Sequence, residues 1–221
     1  MSQNGLKTGF PTLDVWTDLS SGIFTLQGTN PQWMGLLVDQ MLVRNYVEGK
    51  KTLLLQFLDY HERYWSLDFD YIIKTAKTAG VPLRPFMKNT FVQRAFSRDT
   101  VENPEFWRRT LEFSHDVGLV ILDSVGELYT PDKSKGSNSK PITYPLGKFR
   151  QICQQNENCH AVALDYSDWS AHPFLGESSS AIIRFEVDRG VTAQILKHPC
   201  KKQENFELQV VPQSTLNMWL R

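Results

Sequence analysis

Val117-Gly118-Leu119-Val120-Ile121-Leu122-Asp123-Ser124-Val125 decides the fold of this 221-residue chain. A continuous apolar run of this length, closed by turn-forming residues, reads as a strand buried on both faces of a parallel sheet. Such a strand needs helices above and below it. In an open α/β sheet, ligands bind beyond the carboxyl ends of the strands. Asp123 therefore stands where the metal of a bound nucleotide would be held. The alternative is a buried strand capped by a structural Asp.

The flanking sequence supplies the helices. Ser21-Gly22 turns into a short strand, Ile23–Leu26, followed by a loop, 28–35. Leu36, Leu37, Met41, Leu42 and Val43 recur near helical spacing and predict a helix over 36–47. A second strand is expected over 52–58 and a second helix over 64–79, stopped by Gly80 and Pro82. Strand 90–95, a helix over 105–115 opened by Pro104, helix 146–154 and strand 161–164 follow. The stretches 130–143 and 165–180 read as polar loops. Segments 181–187 and 192–196 form a hairpin turning at Asp188-Arg189-Gly190, with 207–211 as a last strand. Alternating strands and helices imply a mostly parallel sheet with helices on both faces and an antiparallel edge. No internal repeat and no long linker divides the chain, so 1–221 reads as a single domain.

Composition narrows the function classes. Hydrophobic residues make up 41% and aromatics 12%, enough for a substantial core. Lys plus Arg equals Asp plus Glu at 24 each, whereas strong nucleic-acid binders carry a basic excess. Any such role must then come from a local patch. No apolar run approaches a membrane span, and no signal peptide is apparent. Cys153, Cys159 and Cys200 fit a reducing, intracellular setting. The spacing of Cys153, Cys159 and His160 matches no common zinc pattern, so no metal site is expected.

Several segments, in order, resemble the core domain of the RecA/RadA strand-exchange recombinases and their paralogs, including archaeal RadB. Leu6-Lys7-Thr8-Gly9-Phe10-Pro11-Thr12-Leu13-Asp14 looks like the family's lead-in. Phe91-Val92-Gln93-Arg94-Ala95-Phe96-Ser97-Arg98-Asp99 is similar to its strand ending in Arg-Ala-Phe. Val120–Val125 looks like the Walker B strand, and 176–190 resembles the terminal hairpin. The resemblance implies a RecA-like P-loop NTPase fold and a role in recombination and DNA repair, in the nucleus of a eukaryote or the cytoplasm of an archaeon.

The departures redirect that expectation. A P-loop needs Gly-x4-Gly-Lys-Ser/Thr, whose amides cradle phosphate, whose Lys reaches the terminal phosphates and whose hydroxyl holds Mg²⁺. Here Gly28 is kept, but Trp33 replaces the second Gly, Met34 the Lys and Gly35 the Ser/Thr. Aligned on His61-Glu62-Arg63, Gln56 falls at the family's catalytic Glu, and an amide cannot act as general base. A degenerate pocket of Gly28, Trp33, Met34, Gly35, Gln56 and Asp123 is expected, with no catalytic residue, no metal and no cofactor. ATP and Mg²⁺ would belong to a partner subunit or a shared interface.

By the same resemblance, Lys133, Lys135 and Lys140 fall in a first DNA-facing loop, and Trp169, His172 and Phe174 in a second. Lysines in a Gly/Ser loop can track phosphates, and exposed rings can stack on unpaired bases. Otherwise the first loop is a solvated surface and the second packs on its own domain. Arg94 and Arg98 either line a groove or pair with acids. The family's N-terminal helical domain and Phe-x-x-Ala docking linker have no counterpart here. A heteromer with an ATP-binding relative is therefore expected, with exposed Trp65, Trp107, Trp169 and Trp219 as candidate anchors. The expected function is that of a non-catalytic paralog. It would bind a recombinase or an ATP-competent paralog and promote its filament on single-stranded DNA. The alternatives are a scaffold subunit of a non-DNA assembly and a weak, atypical ATPase.

Overall fold

The computed structural model describes residues 5–17, 22–57, 69–124, 142–166 and 173–208. Every side chain of Val117–Asp123 is buried, and this strand, β4, lies inside an eight-stranded sheet. In chain order the other strands are β1 (Ile23–Gly28), β2 (Lys51–Phe57), β3 (Thr90–Ala95), β5 (His160–Asp165), β6 (Ala181–Val187), β7 (Val191–Lys197) and β8 (Asn205–Leu208). They are arranged β3-β2-β4-β5-β1-β6-β7-β8. The first six positions pair in parallel; β6-β7 and β7-β8 are antiparallel. The expected architecture, a mostly parallel sheet ending in a hairpin, is the one observed.

Alternation along each strand sends side chains into two separate cores. On one face Leu54, Ile121, Val162 and Leu26 meet α2 (Pro31–Val47), α3 (Phe69–Thr78) and α4 (Leu83–Lys88). On the other, Leu53, Leu55, Val120 and Ala163 meet α5 (Arg98–Glu102), α6 (Pro104–Phe113), α7 (Thr143–Gln154) and α8 (Pro173–Ser178). Each fully buried Leu, Ile or Phe contributes about 1.5–3 kcal/mol. The lead-in forms a one-turn helix, α1 (Pro11–Asp14), closed by Thr8, whose N–H and hydroxyl both donate to Asp14 Oδ1 at 2.6 Å. Phe10 thereby packs on Trp33 at 5.3 Å between ring centroids.

The structure corrects several sequence expectations. The loop expected over 28–35 lasts only two residues beyond β1, because α2 starts at Pro31 rather than Leu36. Proline fits the first helical position, and Asn30 caps the helix by accepting from Trp33 N–H at 2.9 Å. The loop expected over 165–180 contains α8. The short helices α4 and α5 were not anticipated, being too brief for a periodic signal. Trp107, expected at the surface, is 1% exposed and donates its Nε1–H to the Val101 carbonyl at 2.6 Å. Trp65, Trp169 and Trp219 lie outside the described residues. Of the helix expected over 64–79, Phe69–Thr78 is described.

Candidate functional site

The carboxyl edge of the sheet carries the candidate site, beginning where a phosphate loop would leave β1. Gly28 ends that strand and Met34 folds back over it. A Cβ on Gly28 would come within 3.1 Å of Met34 Sδ and 3.5 Å of the Phe185 carbonyl. Met34 is completely buried, and Trp33 lies between Phe10 and Phe185, 5.3 and 5.9 Å from their rings. Apolar side chains thus occupy the strand-to-helix corner. Two of the amides there are engaged, Trp33 N–H by the Asn30 side chain and Met34 N–H by the Asn30 carbonyl at 3.1 Å, and Pro31 has no N–H. Gly35 sits inside the helix, buried among Leu36, Leu37 and Val38.

Two strands away, Gln56 and Asp123 occur in register on β2 and β4, with Arg94 opposite Gln56 on β3. They form a ladder across three strands. Arg94 Nε donates to Gln56 Oε1 at 2.9 Å, and Gln56 Nε2 donates to Asp123 Oδ2 at 3.1 Å. The other carboxylate oxygen accepts from Ser124 Oγ and Tyr166 OH, each at 3.1 Å. Asp123 has no exposed surface, and Gln56, Ser124 and Tyr166 are neutral donors, which is how a buried carboxylate avoids an uncompensated desolvation cost. Ser124 adopts φ 62°, turning the chain sharply off the strand so that its hydroxyl reaches back. This ladder faces α2 and α3, the side on which Leu54 and Ile121 point.

A second ladder of the same composition follows on β5, β1 and β6. Gln27 is in register with Asp165 on one side and Arg184 on the other. Arg184 Nε donates to Gln27 Oε1 at 2.8 Å, and Gln27 Nε2 donates to Asp165 Oδ2 at 3.4 Å. By alternation this one faces the α5–α8 side, since Leu26, Leu164, Ile183 and Phe185 point the other way. The edge therefore carries two Arg–Gln–Asp ladders on opposite faces of the sheet. The sequence reading missed Gln27, Asp165, Tyr166 and Arg184. A signal was present: one polar residue at the carboxyl end of β1, β2, β4 and β5, each after an apolar run.

The remaining candidates separate. Arg98 does not join the ladder; its Nε bonds Glu102 Oε1 at 2.6 Å, one turn along α5. Lys133, Lys135, Lys140, Trp169 and His172 lie outside the described residues. Phe174 falls in the first turn of α8, and only its backbone is described. Among the described residues no group of three His, Cys, Asp or Glu side chains is placed to hold a metal ion, and no helix is long and apolar enough to cross a membrane.

No protein-family model matches this chain, and no curated protein matches it in sequence. Among solved structures, the chain is similar to the crystal structure of the RadB recombinase, with a TM-score of 0.69 at 15% identity. The match covers 91% of this chain and 95% of that one. At this identity the likeness is one of fold: this chain has a RecA-like α/β architecture, with its two polar ladders at the edge where such sheets bind ligands.

Proposed function

We propose that this chain is a non-catalytic recombinase paralog. It assists homologous recombination and DNA repair by binding a recombinase or an ATP-competent paralog and stabilising its filament on single-stranded DNA. The observation that carries the silent half of this reading is the engagement of both Asp123 carboxylate oxygens by Gln56, Ser124 and Tyr166. A carboxylate that serves Mg²⁺ keeps an oxygen for the ion; this one has both committed to neutral donors. The phosphate side agrees, because Met34 covers Gly28 and the Trp33 and Met34 amides are used internally. Phosphoryl transfer depends on positioned positive charge, and the residues of this pocket do not fit nucleotide and Mg²⁺.

The partner half rests on the resemblance of 6–14, 91–99, 120–125 and 176–190 to the recombinase family, and on strand β3. That strand ends the sheet and, among the described residues, pairs only with β2. Val92 and Phe96 are exposed on and beside it, and Phe113, also exposed, stacks on Phe91 at 5.7 Å. An open edge with an apolar flank suits strand addition by a partner. Thermal unfolding with and without ATP and Mg²⁺ tests the silent half. No change in midpoint is expected. A midpoint that rises with nucleotide concentration, as mass action requires of a ligand bound by the folded state, would refute it. Affinity purification from the native cell tests the partner half, which fails if no recombinase-fold protein is retained.

A further inference from the structure

The net charge is zero, but the helices neutralise their cations differently. On α5 and α6 every arginine is paired: Arg98 with Glu102, Arg108 with Glu105 and Glu112, Arg109 with Glu105. On α3 and α4 carboxylates are fewer. Between positions 70 and 88 stand Lys74, Lys77, Arg84 and Lys88 against a single carboxylate, Asp70, which lies in the opposite, first turn of α3. Arg44, Lys77, Arg84 and Lys88 are exposed and carry no ion pair among the described residues.

The packing gathers them at one end. Tyr46, in the last turn of α2, meets Phe86 of α4 edge-on at 5.5 Å. The end of α3 turns tightly into α4, with Val81 N–H bonding the Ala76 carbonyl at 2.8 Å. Asn45 holds this end to the start of β2 through the Lys51 carbonyl at 3.0 Å and Thr52 Oγ1 at 2.7 Å. Arg44, Lys77 and Lys88 occupy the last turns of their helices, at the amino edge of the sheet, opposite the ladders. Helix-end partial charges favour a cation at such places. That accounts for three of them. It does not account for Arg84, in the first turn of α4, nor for the single carboxylate between positions 70 and 88.

We propose that this basic face binds the phosphate backbone of duplex nucleic acid, a contact separate from any made at the carboxyl edge and independent of nucleotide silence. The face favours a duplex over a single strand because its described rings are occupied: Tyr71 and Phe86 are buried, and Tyr46, half-buried, packs edge-on against Phe86. It contacts phosphates without reading sequence, since its groups are flexible cations on helix ends rather than a helix shaped to a groove. Roughly four contacts give a log–log salt slope of about −3 to −4, or about a hundredfold loss of affinity between roughly 50 and 200 mM salt.

The test is fluorescence anisotropy of the full chain with a labelled duplex of random sequence across that salt range. The triple variant Lys77→Glu, Arg84→Glu, Lys88→Glu is expected to lose at least about tenfold in affinity at low salt and most of the salt slope. Its fold is checked by thermal melting, and Arg84→Ala with Lys88→Ala, a milder pair, is expected to show part of the same loss. Binding by a folded variant with parental affinity and slope overturns the proposal, as does a parent chain that ignores duplex at low salt. A glutamate-rich peptide that competes with duplex and binds more tightly would assign the face to an acidic protein and overturn it equally.

Discussion

Asp123→Asn separates a structural carboxylate from a metal-holding one. In a site kept for a cation, removing a buried negative charge leaves the ion-free protein unchanged or more stable. The ladder predicts the opposite. The carboxylate accepts from Gln56 on one oxygen and from Ser124 and Tyr166 on the other. Asparagine offers one oxygen and one NH₂. If the oxygen serves Ser124 and Tyr166, two NH₂ groups face each other at the Gln56 contact. If Gln56 flips to accept, its NH₂ confronts Arg94 Nε, which now donates to Gln56 Oε1. If the oxygen instead keeps Gln56, the NH₂ faces the Ser124 and Tyr166 hydroxyls. These can accept from it but then lose the acceptor of their own hydrogens, so no arrangement keeps all four donors on their present acceptors. One hydrogen bond to a charged acceptor is lost and one buried donor is stranded, a cost of about 2–4 kcal/mol. For a chain of this size each kcal/mol lowers the midpoint by about 2–4 °C, so a drop of roughly 5–15 °C is expected in thermal unfolding followed by circular dichroism. Tyr166→Phe, which leaves Ser124 on the same oxygen, should cost about 1 kcal/mol. A parent and an Asp123→Asn variant with equal midpoints would refute the ladder as a structural element.

Two further outcomes test other parts of the fold. Gly22 has φ 109°, and a Cβ there would lie 2.0 Å from Ser180 Oγ, where the Ser180 N–H is already tied to the Ile23 carbonyl at 2.8 Å. Gly22→Ala should cost more than about 2 kcal/mol in urea denaturation, and Gly49→Ala, at φ 77° with open space around it, about 1; equal losses would contradict the packing. Among the thiols, Cys200 is exposed and Cys159 buried. The hydrogen bond to the Cys159 thiol, with burial, pushes the Cys153 thiol up and keeps it protonated. Native protein should therefore show one fast-reacting thiol with Ellman's reagent and three after denaturation, and two fast thiols in the native state would contradict this.

The strands and their succession along the chain are legible in the sequence, because those signals are local. β4 is an apolar run and strand 90–95 falls where it was expected, since burial on two faces leaves its mark in a few adjacent residues. Trp33, Met34 and Gly35, read against a P-loop's Gly, Lys and Ser/Thr, are legible for the same reason: such a loop is contiguous. Tertiary structure alone decided what replaces it. Nothing in the spacing of Arg94, Gln56 and Asp123, or of Arg184, Gln27 and Asp165, shows that they touch; strand register does, bringing residues up to 157 positions apart into hydrogen-bonding range. The start of α2 at Pro31 likewise depended on the Asn30 cap and on Phe10 and Phe185 closing over Trp33. A helix boundary and a buried carboxylate's partners are settled by which polar groups can be satisfied once water is excluded, and that depends on neighbours brought together only by the fold.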